Sequence, residues 1–378
     1  GVLRLSAFSR KDTSFLGNWW WTVDRWTMAA TVLLILVGVM LIFAASPAVA
    51  EGRNFSPYHF VQRHLVFLPF AAATLLLTSM LSVQGIIRFG VTIFVLAIFL
   101  MILTLGLGLE TKGAQRWLHI AGVSIQPSEF VKPSFAILAA WLFADLKSDN
   151  FTLSQVIAIT LFILVIGLLL LQPDFGMTVV ISVVWFTQFF LAGLPVVWVM
   201  FFIIFGLIGA IGAYLFLPHV TSRVDRFIDP SSGDSYQVER SLQAFGNGGP
   251  FGQGPGEGSI KSNLPDAHTD FIFAVAGEEF GLVFCIIVVG LFAFITLRVI
   301  SQSLKENDLF ILLAVSGLIM QFSLQAFINM ASTLRLMPTK GMTLPFISYG
   351  GSSLLASALC IGMVLALTRR RFSTSGLR

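Results

Sequence analysis

Long apolar runs separated by short polar segments dominate the pattern of hydrophobic positions along the chain. A helix needs about 20 apolar residues to cross the hydrocarbon core of a bilayer, and ten segments approach that length. They are 27–46, 64–82, 86–107, 128–146, 153–171, 176–193, 195–217, 269–298, 308–331 and 343–368. The pattern predicts an all-α polytopic membrane protein with about ten transmembrane helices and one long loop between helices seven and eight.

Two of these boundaries lie inside one almost continuous apolar stretch, residues 153–217. We divide it at Gln172-Pro173-Asp174 and at Gly193-Leu194-Pro195, because proline and glycine interrupt helices. Ten spans place both chain ends on the same side of the membrane. The predicted organisation is an N-terminal segment, 1–26, a ten-helix membrane domain, 27–368, and a short tail, 369–378.

Basic residues near the two chain ends orient these spans. The positive-inside rule gives most weight to the flanks of the first and last spans, and both flanks are basic. The flanking residues are Arg4, Arg10, Lys11, Arg25, Arg369, Arg370 and Arg371. Both termini are therefore predicted to be cytoplasmic, which places the loop 218–268 on the outer side.

Composition supports a membrane protein and excludes several other classes. Of the 378 residues, 56% are hydrophobic and 11% are charged, whereas soluble domains carry about 25% charged residues. A soluble enzyme, a secreted disulfide scaffold and a disordered chain are thereby excluded. The net charge of +4 fits anionic lipid surfaces better than nucleic acid. Cys285 and Cys360 lie in apolar runs and fit small buried hydrophobic residues.

On this topology, 11 of the 23 basic residues fall on the outer side, where the positive-inside rule disfavours them. A cationic outer face suggests an anionic ligand. Attraction to lipid headgroups is the alternative, and the charge count does not separate the two. The outer loop has seven glycines within 246–258, which match no nucleotide-binding motif. Tyr236–Phe245 is predicted to form a short amphipathic helix on the membrane.

Four motifs with chemically useful side chains lie near the predicted outer ends of spans. The first is Gly113-Ala114-Gln115-Arg116-Trp117, and the second runs from Gln126 to Lys132. In the second, Pro127 suits the first position of a helix, and Glu129 and Lys132 share one helix face. Charged side chains inside a membrane face the bundle interior, so these two form either a structural ion pair or part of a site.

The third motif, 264–271, lies where the long loop re-enters the membrane. Asp270 is expected in the first turn of span eight with Thr269 as a cap. The helix N-terminus favours an ionised carboxylate, which can accept a proton, and a simple capping role is the alternative. Glu278 and Glu279 lie two turns deeper, and we expect them to be structural and paired with Arg or Lys residues of the outer face.

The fourth motif combines 338–341 with 345–353 at the outer end of span ten. Lys340 is a candidate ligand for phosphate, or else a snorkelling lysine on a packed turn. Serines such as Ser348 and Ser352 can hydrogen-bond across helices. The sequence contains no H-E-x-x-H, C-x-x-C or S-x-x-K motif, so it favours neither zinc chemistry nor acyl transfer.

Four of these signatures, in this order along a ten-span chain, resemble the SEDS family (shape, elongation, division and sporulation) of the FtsW/RodA type. They are Q-P-S-E-F-x-K at 126–132, A-H-T-D-F-I-F-A at 267–274, G-E-E-F-G at 277–281 and P-F-I-S-Y-G-G-S-S at 345–353. P-T-K-G at 338–341 is more similar to the cell-division branch of the family. The tryptophan-rich N-terminus is similar to that of members from alphaproteobacteria.

The resemblance implies a peptidoglycan glycosyltransferase that polymerises lipid II into glycan strands at the division septum, in the bacterial inner membrane. It implies inverting transfer with an Asp general base and release of undecaprenyl pyrophosphate. The family's essential aspartate corresponds to Asp270. The other implied residues are Arg116, Glu129, Lys132, His268, Lys340, Ser348 and Ser352 for substrate binding, with Gln126, Pro127, Glu278 and Glu279 in support.

The resemblance also implies partners. Besides lipid II and its glycan product, these would be a class B penicillin-binding protein transpeptidase of the FtsI type and other membrane proteins of the division machinery, and no nucleic acid. We expect no metal site formed by the protein alone, although a divalent cation, Mg²⁺ or Mn²⁺, can stabilise a leaving pyrophosphate. A lipid II flippase and a division scaffold without catalysis are the alternatives. The sequence shows no convincing internal repeat of the transporter kind, which favours the enzyme.

Overall fold

The computed structural model describes residues 14–111, 114–120, 122–145, 153–193, 196–229, 236–264, 266–338 and 341–370. Within these ranges the chain forms thirteen α-helices and three short strands. The helices are α1 (Phe15–Thr22), α2 (Arg25–Gly52), α3 (His59–Ser79), α4 (Val83–Leu107), α5 (Pro127–Ala144), α6 (Leu153–Leu171), α7 (Phe175–Leu191), α8 (Val196–Phe216), α9 (Pro218–Ile228), α10 (Tyr236–Gly248), α11 (Ile272–Ser303), α12 (Leu309–Thr333) and α13 (Gly351–Leu367). The strands are β1 (Leu109–Thr111), β2 (Ala114–Ile120) and β3 (Val123–Ile125).

Each of the ten predicted spans corresponds to one helix, α2 to α8 and α11 to α13. The predicted break at 172–174 is confirmed, because α6 ends at Leu171 and α7 begins at Phe175. The second predicted break falls between the end of α7 at Leu191 and the start of α8 at Val196, and its residues 194–195 lie outside the described residues. Among the described residues, six helices are individually long and apolar enough to cross a membrane: α2, α3, α4, α6, α11 and α12. The fold is therefore the predicted all-α polytopic membrane fold.

The centre of the bundle is built from α5, α12 and α13. All residues from 131 to 140 of α5 are buried, and so is most of α13. A helix that is apolar on every side is stable when other helices surround it, and α5 packs against both α4 and α12 while α13 packs against α3. The start of α5 then meets the start of α13, where the Gln126 backbone N–H donates to Ser352 Oγ at 3.0 Å.

The two ends of the described chain meet on one face of the bundle. Arg298 of α11 donates to both carboxylate oxygens of Asp24, the residue before α2, at 2.7 and 2.8 Å, and Gln302 donates a third bond at 2.8 Å. Burial alone would raise the pKa of Asp24, but these hydrogen bonds hold it below its ordinary value. The Arg370 N–H donates to the Thr22 carbonyl at 3.1 Å. Both ends therefore share one face, whose identity as the cytoplasmic face stays a prediction.

The structure corrects the predicted starts of two spans. The tenth helix begins at Gly351 rather than at 343, and the eighth begins at Ile272 rather than at 269. The intervening residues 341–350 and 266–270 form non-helical turns, because they hydrogen-bond to one another across the bundle instead of within a helix. The apolar pattern extends through both turns because they are buried.

The connection between α4 and α5 contains a small antiparallel sheet in the order β1-β2-β3. Its register pairs Leu118 with Ile125 and Ile120 with Val123. The hydrophobic pattern does not predict this sheet, because its strands are only three to seven residues long. The sheet matters here because β2 carries Arg116.

The described part of the long loop 218–268 is largely helical. The predicted helix from Tyr236 is confirmed as α10 and extends to Gly248, and α9 is a second helix that was not predicted. A single 3₁₀ turn follows at Ile260–Asn263. α10 packs against α11, so the loop folds back over the helix that it precedes.

This folding back compensates for a break in α11. Gly281 has φ 82° and ψ −179° inside that helix, so the regular hydrogen bonds stop there. The Leu282 N–H donates instead to the Gly249 carbonyl at 2.9 Å, and the Gln253 and Gly254 N–H groups donate to the carbonyls of Glu278 and Glu279 at 2.9 and 3.0 Å. Irregular backbone at membrane depth is tolerated where protein satisfies its polar groups, and residues 249–254 do so here.

Glycines make this close approach sterically feasible. A Cβ placed on Gly281 would lie 2.4 Å from the Gly252 nitrogen, and a Cβ on Gly248 would lie 1.9 Å from the Gly277 carbonyl oxygen. Close packing against α11 thereby explains Gly248, Gly252 and Gly258, while Gly249, Gly254 and Gly256 adopt positive φ, which favours glycine.

We predict that Gly281→Ala destabilises the protein. The backbone conformation at Gly281 costs a non-glycine residue about 1–3 kcal/mol, and the added methyl group would displace residues 249–254. Thermal unfolding in detergent, followed by circular dichroism, should show a clearly lower midpoint. Gly290→Ala is the matched control, because no atom lies within 4 Å of a Cβ at that position of the same helix. Equal midpoints for the two variants would refute this account of the break.

Candidate active site

The turn 266–270, immediately before α11, is held by three successive backbone carbonyls. The His268 carbonyl accepts from the Tyr349 N–H at 2.9 Å, and the Thr269 carbonyl accepts from Ser348 Oγ at 2.6 Å. The Asp270 carbonyl accepts from Asn329 Nδ2 at 2.9 Å. Asp270 is thus fixed from α12 and from the segment 341–350, although these elements are distant in sequence.

Asp270 lies two residues before α11, not in its first turn as expected. The Thr269 hydroxyl donates to the Asp266 carbonyl at 3.3 Å and does not cap the helix, because α11 has Phe271 as its N-cap and no side-chain cap. The Asp270 side chain is half-buried. A simple capping role therefore does not account for this carboxylate.

The carboxylate of Asp270 faces the backbone of Gly341. A Cβ placed on Gly341, which has φ +59°, would lie 3.1 Å from Asp270 Oδ2. The structure thus brings the third and fourth sequence motifs together at one point. Lys340 precedes Gly341 in the chain, but residues 339–340 lie outside the described residues, so its predicted role as a phosphate ligand stays a prediction.

The predicted Glu129–Lys132 pair forms inside the bundle. Lys132 Nζ lies 2.8 Å from Glu129 Oε2 and donates to Gln325 Oε1 at 2.6 Å, and the lysine side chain is only 4% exposed. Pro127 is the first residue of this helix, as predicted. The pair borders a cavity of about 10 Å³ that Ser357 and Cys360 also line.

Arg116 and Gln126 make their contacts away from the Asp270 turn. Arg116 Nε donates to the Gln172 carbonyl at 3.1 Å, a second guanidinium nitrogen donates to the Pro173 carbonyl, and the Asp174 carboxylate lies 3.8 Å away. Arg116 therefore secures the break between α6 and α7. Gln126 joins α5 to Ser352 through the bond at 3.0 Å.

His268 and Ser348 lie at the Asp270 turn, and each is engaged by the protein itself. The His268 ring packs on Phe60 and Tyr349 with centroid distances of 4.5 and 5.3 Å. Burial lowers the pKa of His268 to about 4, an effect to which Arg53 adds, so its ring is neutral at pH 7. Ser348 Oγ accepts the Leu344 N–H at 2.8 Å in addition to its bond to Thr269.

Glu278 and Glu279 are fully buried and contact the loop that follows α10. Glu278 accepts the N–H groups of Ser259 and Ile260 at 2.9 and 2.8 Å. Glu279 pairs with Lys261 of the same loop. The two carboxylates thereby tie this loop to the N-terminal part of α11.

Sequence reasoning missed the two amide side chains of α12 that reach the site, Gln325 and Asn329. Their spacing along the sequence could have identified them. Gln321, Gln325 and Asn329 recur every fourth residue in an otherwise apolar span, which places them on one helix face. Polar side chains in a span face the bundle interior or a cavity.

The Asp270 turn and the Lys132–Glu129 pair both contact α12, through Asn329 and Gln325 respectively. A half-buried carboxylate can accept a proton, which makes the junction of α11, α12 and the α12–α13 turn the candidate site. The class is therefore a helical membrane protein with a polar candidate site at this junction.

The particular family follows from sequence comparison. The family model of the cell cycle proteins FtsW, RodA and SpoVE matches residues 25–372, and the chain belongs to this family. A relative from Caulobacter vibrioides, named probable peptidoglycan glycosyltransferase FtsW, is 44% identical over 97% of this chain and 94% of its own length. A relative of the same name from Coxiella burnetii is 34% identical over 92% of this chain and 96% of its own length.

Solved structures share the fold. A chain of a peptidoglycan synthase complex, solved to show how polymerization and crosslinking are coordinated, superposes with a TM-score of 0.76 at 25% identity. The rod shape determining protein RodA of Thermus thermophilus superposes with a TM-score of 0.67 at 24% identity. Each comparison covers 92% of this chain and 97% of the other chain.

We predict that breaking the Glu129–Lys132 pair from one side costs more stability than removing both charges. Lys132→Met leaves Glu129 buried without its cation, which typically costs about 3–5 kcal/mol. The double variant Glu129→Gln/Lys132→Met leaves no unpaired charge and should recover most of that loss. Thermal midpoints of the two single variants and the double variant test this. A double variant less stable than either single variant would contradict it.

Proposed function

We propose that this chain polymerises lipid II during septal cell-wall synthesis, with Asp270 as the general base. Peptidoglycan glycosyltransferase is the enzyme class of its relatives from Caulobacter and Coxiella. The observation that carries the proposal is the carboxylate of Asp270, half-buried and anchored through its own carbonyl to Asn329. A base of this kind needs a fixed position and access to substrate, and the anchored backbone and the partial exposure of Asp270 support this role.

In the reaction, the 4-hydroxyl of one lipid II attacks the anomeric carbon of a lipid-linked glycan chain. The hydroxyl proton passes to the Asp270 carboxylate as the new glycosidic bond forms. The bond between the anomeric carbon and the pyrophosphate breaks with inversion, and undecaprenyl pyrophosphate leaves. Proton removal by a positioned carboxylate contributes about 10²–10⁴-fold to the rate.

Positive groups assist the leaving pyrophosphate in this proposal. Lys132 is already neutralised by Glu129, so it serves mainly as a hydrogen-bond donor, and Lys340 supplies net positive charge. We assign Arg116, Ser348 and Ser352 to positioning, because their contacts are with backbone groups of the protein. His268, neutral and packed between rings, supports the turn that carries Asp270.

The described residues bring no three His, Cys, Asp or Glu side chains together as metal ligands. We therefore assign no metal site to the described side chains alone. Mg²⁺ or Mn²⁺ would bind chiefly to substrate phosphates, as Mg²⁺ commonly does. The proton transfer rests on Asp270.

We further propose a location and a partner. The chain is a multi-pass membrane protein, which we place in the bacterial inner membrane at the septum with both termini cytoplasmic. A similar chain belongs to a synthase complex that couples polymerization to crosslinking. Because this sequence lacks S-x-x-K, a class B penicillin-binding protein would supply the crosslinking activity. Its transmembrane helix would pack on the exposed apolar face of α11, which includes Leu282, Ile286 and Ile287.

Asp270→Asn is predicted to abolish glycan polymerisation without unfolding the protein, since an amide cannot accept the proton. The assay is lipid II polymerisation by the purified chain with its transpeptidase, together with a melting curve. Asp266→Asn is the matched control in the same turn. Its carboxylate lies 3.6 Å from Arg53 and accepts from Gln237 Nε2 at 3.2 Å, and an asparagine side chain keeps an oxygen acceptor for both partners.

Polymer from Asp270→Asn at the wild-type rate would remove Asp270 as the base. If the wild type makes no polymer but moves lipid II across vesicles, the flippase alternative replaces the enzyme.

The partner surface has its own test. Ile286→Cys, 60% exposed on α11, should form crosslinks with a cysteine series along the partner's transmembrane helix. Phe99→Cys, 61% exposed on α4, is the control and should form none. Native Cys285 and Cys360 are both buried and therefore shielded. Crosslinking from Phe99→Cys alone would place the partner elsewhere.

A further inference from the structure

Two buried amides on α12 each bridge separate parts of the site. Gln325 Oε1 accepts from Lys132 Nζ at 2.6 Å, while its Nε2 donates to the Thr343 carbonyl at 3.0 Å and to Thr343 Oγ1 at 3.2 Å. One side chain therefore connects the buried ion pair to the segment 341–350.

Asn329, one turn further along the same helix face, connects the other side of the site. Its Nδ2 donates to the Asp270 carbonyl at 2.9 Å and to the Met342 carbonyl at 2.6 Å. Because both partners are carbonyl oxygens, the amide nitrogen must point toward them. The side chain is about 1% exposed, so water does not compete for these bonds.

The two amides donate to adjacent residues, Asn329 to Met342 and Gln325 to Thr343. A continuous chain of contacts thus runs from Asp270 through Asn329 to Met342, and from Thr343 through Gln325 to Lys132. Gly341, the next residue before Met342, faces the Asp270 carboxylate. The rigid helix α12 sets the spacing between the two amides, which are four residues apart.

We infer that Asn329 and Gln325 form an amide bridge whose function is to fix the general base Asp270 relative to the Lys132–Glu129 pair and the segment 341–343. Both are positioning residues, and this role rests on the proposed function. Proton transfer and departure of the pyrophosphate occur at opposite sides of the reacting carbon, so the groups serving them must keep a fixed separation. A displacement of about 1 Å in such groups can cost about 10²-fold in rate.

The chain offers a closely matched control for Asn329. Gln188 of α7 is also a fully buried amide, and its Nε2 donates to two backbone carbonyls, those of Ala136 and Leu313, at 2.8 and 3.0 Å. Each amide also has a buried carbonyl oxygen without a hydrogen-bond partner. Gln188 differs in that its contacts, to the middle of α5 and the start of α12, do not reach the Asp270 turn.

The experiment compares Asn329→Ala with Gln188→Ala in lipid II polymerisation by the full chain with its transpeptidase. We expect kcat to fall about 10–100-fold in Asn329→Ala, with KM for lipid II nearly unchanged. Gln188→Ala should lower the melting temperature by a similar amount and keep a near wild-type kcat. Asn329→Asp, which keeps the side-chain size but lacks the donor, replaces the alanine variant if that variant does not fold.

Gln325→Glu tests the other half of the bridge. Glutamate keeps an acceptor for Lys132 but cannot donate to Thr343, so kcat should fall while the ion pair survives. If both amides act through 341–343, the double variant Asn329→Ala/Gln325→Glu should lose less than the product of the two single losses. Fully multiplicative losses would overturn a shared bridge.

Hydrogen–deuterium exchange measures how well the backbone amides of these segments are protected, and it does not require activity. In Asn329→Ala, peptides covering 266–271 and 341–349 should exchange faster than in the wild type, and in Gln188→Ala they should not. Lost activity with unchanged exchange would overturn the positioning role, because Asn329 would then act on substrate directly. Faster exchange with no polymer even from the wild type would retain the structural bridge and refute the proposed function.

Discussion

Hydrocarbon offers no hydrogen bonds to a peptide group, and this constraint governs the two irregular segments that border the site. Where α11 breaks at Gly281, residues 249–254 supply the missing partners. Where the chain forms a turn at 266–270, α12 and the segment 341–350 supply them. Each of these two irregular segments is paired with another part of the chain, and the pairing satisfies the backbone groups of both.

The same pairing assembles the site. A continuous transmembrane helix has no free backbone groups to offer to a neighbour, whereas a turn at its end exposes three carbonyls in succession. Those of 268–270 recruit Tyr349, Ser348 and Asn329, and this brings the Asp270 carboxylate to Gly341. Buried charged side chains are also paired. Lys132 and Glu129 form an ion pair inside the bundle. Glu278 is hydrogen-bonded by backbone N–H groups, and Glu279 is paired with Lys261.

The sequence predicts those parts that depend on apolarity and spacing. The ten helices, the breaks at 172–174 and 193–195 and the Glu129–Lys132 pair follow from such patterns. The sequence predicts the start of α13 at 343 because Leu344, Phe346 and Ile347 are apolar. The structure shows that these residues are buried in a turn instead, and hydropathy alone does not distinguish a buried turn from a helix. The contact between Asp270 and Gly341 depends on tertiary hydrogen bonds between residues about 70 positions apart, which no local pattern encodes.

The contact between the chain ends has a mechanical consequence. Arg298 and Gln302, near the end of α11, grip Asp24 at the start of α2, while Arg370 holds the peptide at Thr22. These contacts hold the C-terminal part of α11 in place. The N-terminal part of α11 contains Glu278 and Glu279 and borders the site. Gly281 separates it from the anchored C-terminal part. The loop residues 259–261 and the Asp270 turn both join α11 on the N-terminal side of Gly281. A displacement of this loop therefore reaches the Asp270 turn through residues 272–280 alone, and the glycine separates that movement from the anchored part of α11.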